Sequence, residues 1–354
     1  MNLEDFGFSD SFKQYVAENK LTEFVIGRVV SEHKEQYRVR TIDGDFDAEI
    51  TGNMRFSASG RKDFPAVGDW VTLVLCDGDF AIIHHILPRY SIIERRRVGI
   101  DGEVQIIGAN IDYAFLVQSV DRDFNINRLE RYLTICASSQ ITPIIVLTKT
   151  DLTTEEKLYD IINEVQLRIK NVQVIPVSDK ISNGYDNLFK LIEKGKTYCA
   201  LGSSGVGKST LINGLLARNI MKTSEISEST GKGRHITSHR EMFVLENGGI
   251  IIDNPGMREV GISDVSNGLE TTFDKITGLA KSCRFTNCSH TIEKGCAVLD
   301  AINRGELDRA YYKNYQKMIK EKVFFESSAI ELRKKDKEFG KMIKNYKKNF
   351  KSKD

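Results

Sequence analysis

Eight consecutive residues carry the clearest chemistry in the chain: Gly202-Ser203-Ser204-Gly205-Val206-Gly207-Lys208-Ser209. The pattern is G-x-x-x-x-G-K-[ST], in which glycines let backbone N–H groups turn inward around phosphates and the helix that follows adds partial positive charge. Lys208 is placed to reach the β and γ phosphates, and Ser209 to hold Mg²⁺; Thr210 continues the first helical turn. The pattern needs a strand before it and a helix after it. Tyr198-Cys199-Ala200-Leu201 reads as a short buried strand, and helical periodicity opens at Lys208.

Two downstream segments supply what phosphoryl chemistry needs. After the apolar run Ile250-Ile251-Ile252 comes Asp253-Asn254-Pro255-Gly256, where Asp253 can bind Mg²⁺ through water and the Gly256 N–H can sense the γ phosphate. Asp-x-Pro-Gly alone is a common turn. Its place after a buried strand, about 45 residues beyond the lysine, favours the functional reading. Between them, Gly231-Lys232-Gly233-Arg234-His235-Ile236-Thr237-Ser238 is polar and glycine-punctuated, suited to a switch ordered by nucleotide and metal. Thr237 is expected as the second Mg²⁺ ligand. Met257 stands where many GTPases place a water-orienting Gln, and a thioether cannot orient water. His235 is therefore the candidate for that role, its bland alternative being a solvated loop histidine.

Base choice is expected from Thr148-Lys149-Thr150-Asp151, directly after the strand Pro143-Ile144-Ile145-Val146-Leu147. The Asp151 carboxylate can accept from the N1–H and N2–H₂ edge of guanine, and adenine offers no matching donor pair. The usual motif begins with Asn; the Thr148 hydroxyl replaces only part of an amide's bonding. The strand Val172 to Val177, followed by Ser178, supplies a last base-contacting loop. The loops thus run base, base, phosphate, switch, switch. An ordinary GTPase has the phosphate loop first, so the order is that of a circular permutation, which a sheet tolerates because its strands need only be neighbours in space.

Four further residues form a second constellation, Cys283-x₄-Cys288-x-His290-x₅-Cys296. Three thiolates and an imidazole within fourteen residues can close one tetrahedral, structural Zn²⁺ site with no position left open for water. Disulfides are the alternative, disfavoured in an intracellular chain. Cys76, Cys136 and Cys199 sit in apolar patterns and are expected to be buried, reduced thiols.

These residues need scaffolds. From Phe24 to Glu94 short runs alternate apolar and polar residues between turn signals Asp43-Gly44 and Asp77-Gly78, as suits a small Greek-key barrel. Arg55, Phe56, Arg61 and Lys62 are expected in a loop between strands, as nucleic-acid contacts or else as a core Phe among solvated charges; Trp70 is expected in the core. Ala297 to Asn303 and Leu307 to Arg333 read as helices, the second with packing aromatics Tyr311, Tyr312 and Tyr315. The tail Arg333 to Asp354 holds ten Lys/Arg against three Asp/Glu in a chain of net charge +2, which suits RNA or a solvated tail. No apolar run approaches the ~20 residues of a membrane span, and the acidic start lacks signal-peptide features. A cytoplasmic monomer with no membrane association is expected.

On these motifs, with Val67-Gly68-Asp69-Trp70-Val71 and Ala109-Asn110-Ile111-Asp112, nearly the whole chain resembles the circularly permuted, small-ribosomal-subunit-dependent GTPase A family of bacterial ribosome assembly factors. The resemblance implies a multidomain protein: an N-terminal all-β OB-fold barrel that binds RNA (1–95), a central α/β circularly permuted P-loop GTPase domain (105–262) and a C-terminal α-helical zinc-binding domain with a basic tail (268–354). It implies hydrolysis of GTP to GDP and phosphate, with Lys208, His235 and Thr237 catalytic, stimulated by the small ribosomal subunit and its rRNA late in that subunit's maturation. The alternative is a GTP-gated RNA-binding module acting on another RNA with incidental hydrolysis. A zinc-stabilised scaffold without nucleotide binding fits poorly with intact Lys208, Ser209, Asp253 and Asp151.

Overall fold

The computed structural model describes residues 2–33, 35–96, 104–121, 124–223, 240–253 and 266–326, and every structural statement below concerns these. The chain divides into two compact units, Met1–Arg97 with Glu103–Gly261, and Val98–Gly102 with Ile262–Asp354. The first begins with helix α1 (Asp10–Glu18), followed by strands β1 (Val25–His33), β2 (Gln36–Arg40) and β3 (Asp45–Ile50), helix α2 (Gly52–Ser57), and strands β4 (Trp70–Leu75) and β5 (Phe80–Ile86). These five strands close into a barrel in the order β1-β2-β3-β5-β4-β1, with β3 and β5 its parallel pair. Alternation sets the pattern: Tyr37 and Val39, Val71 and Leu73, and Ala81 and Ile83 are buried together inside. Gly27 sits where β1 crosses, since a Cβ there would lie 2.5 Å from Val39 Cγ1. Outside β4, Phe6, Phe8, Phe12 and Val16 cover Trp70, with the Phe8 and Trp70 ring centroids 4.8 Å apart.

The remaining strands of this unit are the hairpin β6 (Ile92–Arg96) and β7 (Val104–Ala109), then β8 (Tyr113–Ser119), β9 (Thr142–Thr148), β10 (Gln173–Pro176), β11 (Thr197–Leu201), β12 (Arg240–Val244) and β13 (Ile250–Asp253). Helices α3 (Ile126–Ser138), α4 (Glu155–Arg168), α5 (Asp186–Phe189) and α6 (Lys208–Thr223) alternate with them. The sheet order is β10-β9-β8-β11-β13-β12, parallel except at β12. Its strands β8, β9, β11 and β13 are near-continuous apolar runs because both faces are covered. Ala114, Leu116, Cys199 and Ile252 pack on one face with Leu129 and Leu133 of α3 and Val165 of α4. Phe115, Val117, Tyr198 and Ile251 pack on the other with Leu188 of α5 and Leu211 and Leu215 of α6. The strand leading into the phosphate loop, β11, lies between β8 and β13 although β8, β9 and β10 all precede it in the chain. The end of β1 pairs with β12, so barrel and sheet are continuous.

Arg28 fastens this junction. It is 1% exposed and donates to the carbonyls of Gly68 (3.1 Å), Phe6 (2.5 Å) and Asn110 (3.0 Å) and to Thr197 Oγ1 (2.9 Å) at the start of β11. Burial lowers the pKa of its guanidinium, opposed by the nearby Asp69 and Asp112 carboxylates. Gly68 is in the left-handed region (φ +98°), and a Cβ there would lie 2.1 Å from the Ala109 carbonyl oxygen.

The second unit, taken by itself, holds α7 (Ser266–Thr272), α8 (Asp274–Ala280), α9 (Ala297–Asn303) and α10 (Arg309–Glu326) around Leu269, Phe273, Val298, Tyr311 and Met318. The expected helix from Leu307 to Arg333 is described as far as Glu326, and the basic tail lies outside the described residues. No described helix is long and apolar enough to cross a membrane.

Two expectations are corrected. Cys76 is exposed, because β4 ends at Leu75 and the next residues turn at Asp77-Gly78; Cys136 and Cys199 are buried. Residues 52–57 form a helix rather than a loop, started by the Thr51 hydroxyl accepting from the Met54 N–H at 3.1 Å, and Phe56 is 92% exposed rather than core.

Candidate nucleotide site and metal centre

The carboxyl ends of β8, β9, β11 and β13, with the loop after β10, bring the candidate residues to one edge of the sheet, where parallel α/β sheets bind ligands. After β11 the chain enters the phosphate loop with Gly202, whose Cβ would lie 2.6 Å from the Val117 carbonyl oxygen of β8. Gly205 (φ +81°) and Gly207 (φ +95°) take left-handed conformations. The Val206 side chain, 1% exposed, anchors the loop in the core. Lys208 Nζ donates to the Gly202 and Ser203 carbonyls at 2.7 and 2.6 Å, and the Leu211 N–H bonds the Gly207 carbonyl at 2.8 Å to start α6. Ser204, Gly205, Ser209 and Thr210 are exposed.

The base loop touches the phosphate loop. Thr148, last in β9 and 5% exposed, donates its hydroxyl to the Val206 carbonyl at 2.5 Å, with the Gln118 carbonyl at 3.3 Å. The motif's departure from Asn therefore keeps one polar tether between the two loops. Lys149 turns through φ +58°, and its Nζ meets Asp121 Oδ2 at 2.9 Å. Thr150 Oγ1 donates to the Val177 carbonyl at 3.2 Å. Asp151 accepts from Ser178 Oγ at 2.5 Å, so the loop after β10 orients the carboxylate expected to read the base. Asp253 is half-buried at the end of β13, opposite Glu241 in register. His235, Thr237, Gly256 and Met257 lie outside the described residues. Reading the sequence missed Asp121, which stands 28 residues before Lys149 with no motif around it.

In the second unit, the donor atoms of Cys283, Cys288, His290 and Cys296 all lie within 4.8 Å of one another and can hold a metal ion. Cys283 Sγ is 3.6 Å from His290 Nδ1 and 3.9 Å from Cys296 Sγ, and His290 Nδ1 is 3.4 Å from Cys296 Sγ. A tetrahedral ion with ordinary Zn–S and Zn–N bonds separates its ligand atoms by about 3.6–3.8 Å, whereas a disulfide needs about 2.05 Å. The three separations between Cys283, His290 and Cys296 are near those of a metal site and far beyond a disulfide. The Tyr312 hydroxyl donates to the His290 carbonyl, and the Glu293 carboxylate closes the loop by accepting from Ser289 and Thr291.

The model of the family described as RsgA GTPase matches residues 86–263. A relative from Bacteroides thetaiotaomicron named small ribosomal subunit biogenesis GTPase RsgA 1 is 37% identical over 98% of this chain and 97% of its own length. The chain belongs to the RsgA GTPase family. A further RsgA, from Listeria innocua, is 43% identical over 92% of this chain and 90% of its own. Two solved structures share the fold: YjeQ from Thermotoga maritima (TM-score 0.62, 23% identity, 84% of this chain and 98% of that one), and YloQ, titled a circularly permuted GTPase (TM-score 0.60, 24% identity, 84% and 94%). The strand order of this RsgA-family chain is the permuted one read from its motifs.

Proposed function

We propose that the chain is a GTPase that hydrolyses GTP to GDP and phosphate in late maturation of the small ribosomal subunit, stimulated by that subunit. The observation that carries this reading is the bond from Thr148 to Val206, which joins a base-reading loop to a phosphate loop at one strand edge. Asp151, oriented by Ser178, selects guanine; Thr148, Lys149 and Thr150 shape the base loop. Gly202 to Thr210 wrap the phosphates with backbone N–H groups, and Lys208 exchanges its loop carbonyls for phosphate oxygens. Ser209, Thr237 and Asp253 hold Mg²⁺, which screens the phosphate charge; the Gly256 N–H senses the γ phosphate. His235 orients the attacking water once its loop orders, in place of a Gln that Met257 does not supply.

The Cys283, Cys288, His290 and Cys296 cage takes one structural Zn²⁺. The domains run 1–95, 105–262 and 268–354 in a cytoplasmic monomer. The barrel contacts rRNA through exposed Phe56 with Arg55, Arg61 and Lys62. An adjoining concavity of about 600 Å³ is lined by Tyr15, His84, His85 and Lys62, a mix of rings and cations suited to unpaired bases. The basic tail adds counterion release.

GTP turnover measured alone and with purified small subunits, large subunits or free RNA tests the proposal. Stimulation by small subunits alone is expected; equal stimulation by any RNA supports the gated-module alternative. His235→Ala should lower stimulated turnover at nearly constant GTP affinity.

A further inference from the structure

Asp121 lies two residues beyond the end of β8 and belongs to none of the motifs. Its Oδ2 meets Lys149 Nζ at 2.9 Å and its Oδ1 accepts from Ser119 Oγ at 2.8 Å. Ser119 is fully buried and directly opposite Thr148 in the β8–β9 register. The carboxylate is thus held by a rigid hydroxyl on one side and by the base-loop lysine on the other. The side chains of Lys149 and Asp121 are 32% and 23% exposed.

We propose that Asp121 is a positioning residue of the guanine pocket, acting through Lys149. The proposal rests on the nucleotide-site reading above. A lysine side chain carries rotamer freedom that a ligand resting on it must remove. Asp121 removes part of it beforehand by drawing the ammonium toward the end of β8, so the methylene stem lies across the carboxyl ends of the paired strands β9 and β8. Lys149 itself takes a left-handed backbone conformation (φ +58°) just past the end of β9. A flat base whose edge meets Asp151 then finds an apolar ledge already ordered. Thr148 commits its one hydroxyl proton to the Val206 carbonyl and so donates no bond within its own loop. The Asp121–Lys149 clasp adds the missing brace.

A partly exposed ion pair contributes up to about 1 kcal/mol, so its loss is worth up to about fivefold in affinity. Fluorescent GDP titration of the full chain should show a dissociation constant raised three- to fivefold in Asp121→Ala at about 20 mM salt, shrinking toward onefold near 1 M as the pair is screened. In a Lys149→Met background, Asp121→Ala should change affinity less than twofold. Turnover at saturating GTP should stay within twofold of the parent, separating KM from kcat. An affinity loss that persists undiminished at high salt, or equally large effects in both backgrounds, overturns the proposal. Asp151→Asn serves as the control: if it leaves GTP preferred over ATP, the base-site reading itself fails, whereas a normal control with a silent Asp121→Ala refutes the clasp alone.

Discussion

Thr148→Val isolates the tether between the base and phosphate loops. The parent hydroxyl donates to the Val206 carbonyl at 2.5 Å from a side chain that is 5% exposed. Valine keeps the shape and β-propensity but removes the donor. A carbonyl left without its partner costs roughly 1–3 kcal/mol. The substituted methyl also needs a separation of about 3.3 Å or more from that oxygen, so the loop must retreat in the same direction. The Val206 side chain stays anchored, but the flanking left-handed glycines, Gly205 and Gly207, let its peptide turn away in the free protein. The penalty then falls on nucleotide binding, where the loop must be drawn back. An effect of about 1–2 kcal/mol weakens GDP and GTP binding by roughly 5- to 30-fold. The melting temperature of nucleotide-free protein should move by only about 2 °C or less. Fluorescent-nucleotide titration beside thermal unfolding reads both, with Thr148→Ser as a hydroxyl-retaining control near parent affinity. Unchanged affinity with a clearly lowered melting temperature would refute the reasoning, since the hydroxyl would then be a core contact only.

Arg28→Met should lower the urea midpoint by the equivalent of about 3–5 kcal/mol, because Phe6, Gly68, Asn110 and Thr197 all lose a donor at a fully buried site; an unchanged midpoint would show that relief of guanidinium desolvation balances those losses. Gly68→Ala should fail to accumulate as folded protein, since its Cβ would meet the Ala109 carbonyl, whereas Gly78→Ala, also left-handed (φ +73°) but in open space, should cost only about 1–2 kcal/mol. Chelation should release one metal ion per chain and reduce helical circular dichroism, with Cys296→Ser binding metal more weakly. Acid acts on this centre in two steps. Burial holds the His290 pKa below its ordinary 6.5, so the neutral ring's contribution is complete above pH 6.5 and declines as pH falls toward the folded value. Glu293, held at about 2 mainly by the Ser289 hydroxyl, keeps its contribution above its ordinary 4.5 and loses it only as pH falls from there toward 2. Metal release followed by a chromogenic chelator should therefore be faster at pH 5.5 than at 7.5; a rate independent of pH would contradict this order.

Much of the site was legible because its loops follow strands that announce themselves. The apolar runs before Thr148, Gly202 and Asp253 are buried on both faces, and such runs end where parallel sheets open to ligands. The permuted order could be read for the same reason. Short elements were less visible: β12 and the β6–β7 hairpin have few residues, and one of the two partners of β12 is β1, about 200 positions earlier in the chain. Arg28 belongs to no motif, and its burial is set by partners distant in the chain, the Phe6 carbonyl of the N-terminal segment and Thr197 at the start of β11. Thr148 was noticed as a departure from the usual motif, yet nothing local to a hydroxyl names the carbonyl it will find 58 positions later. The helix over Phe56 was signalled by Thr51 as a cap and hidden by the glycine after it.

The continuity of β1 with β12, pinned by Arg28 at the root of β11, turns the barrel into a handle on the nucleotide pocket. Leverage applied to the barrel is delivered to the strand that feeds Gly202 without crossing a flexible linker. For the same reason the two halves do not part cleanly: a fragment cut to begin at Ala109 would carry away the P-loop but abandon the guanidinium that steadies its supporting strand. Transplanting the nucleotide half onto another carrier would require rebuilding that joint first.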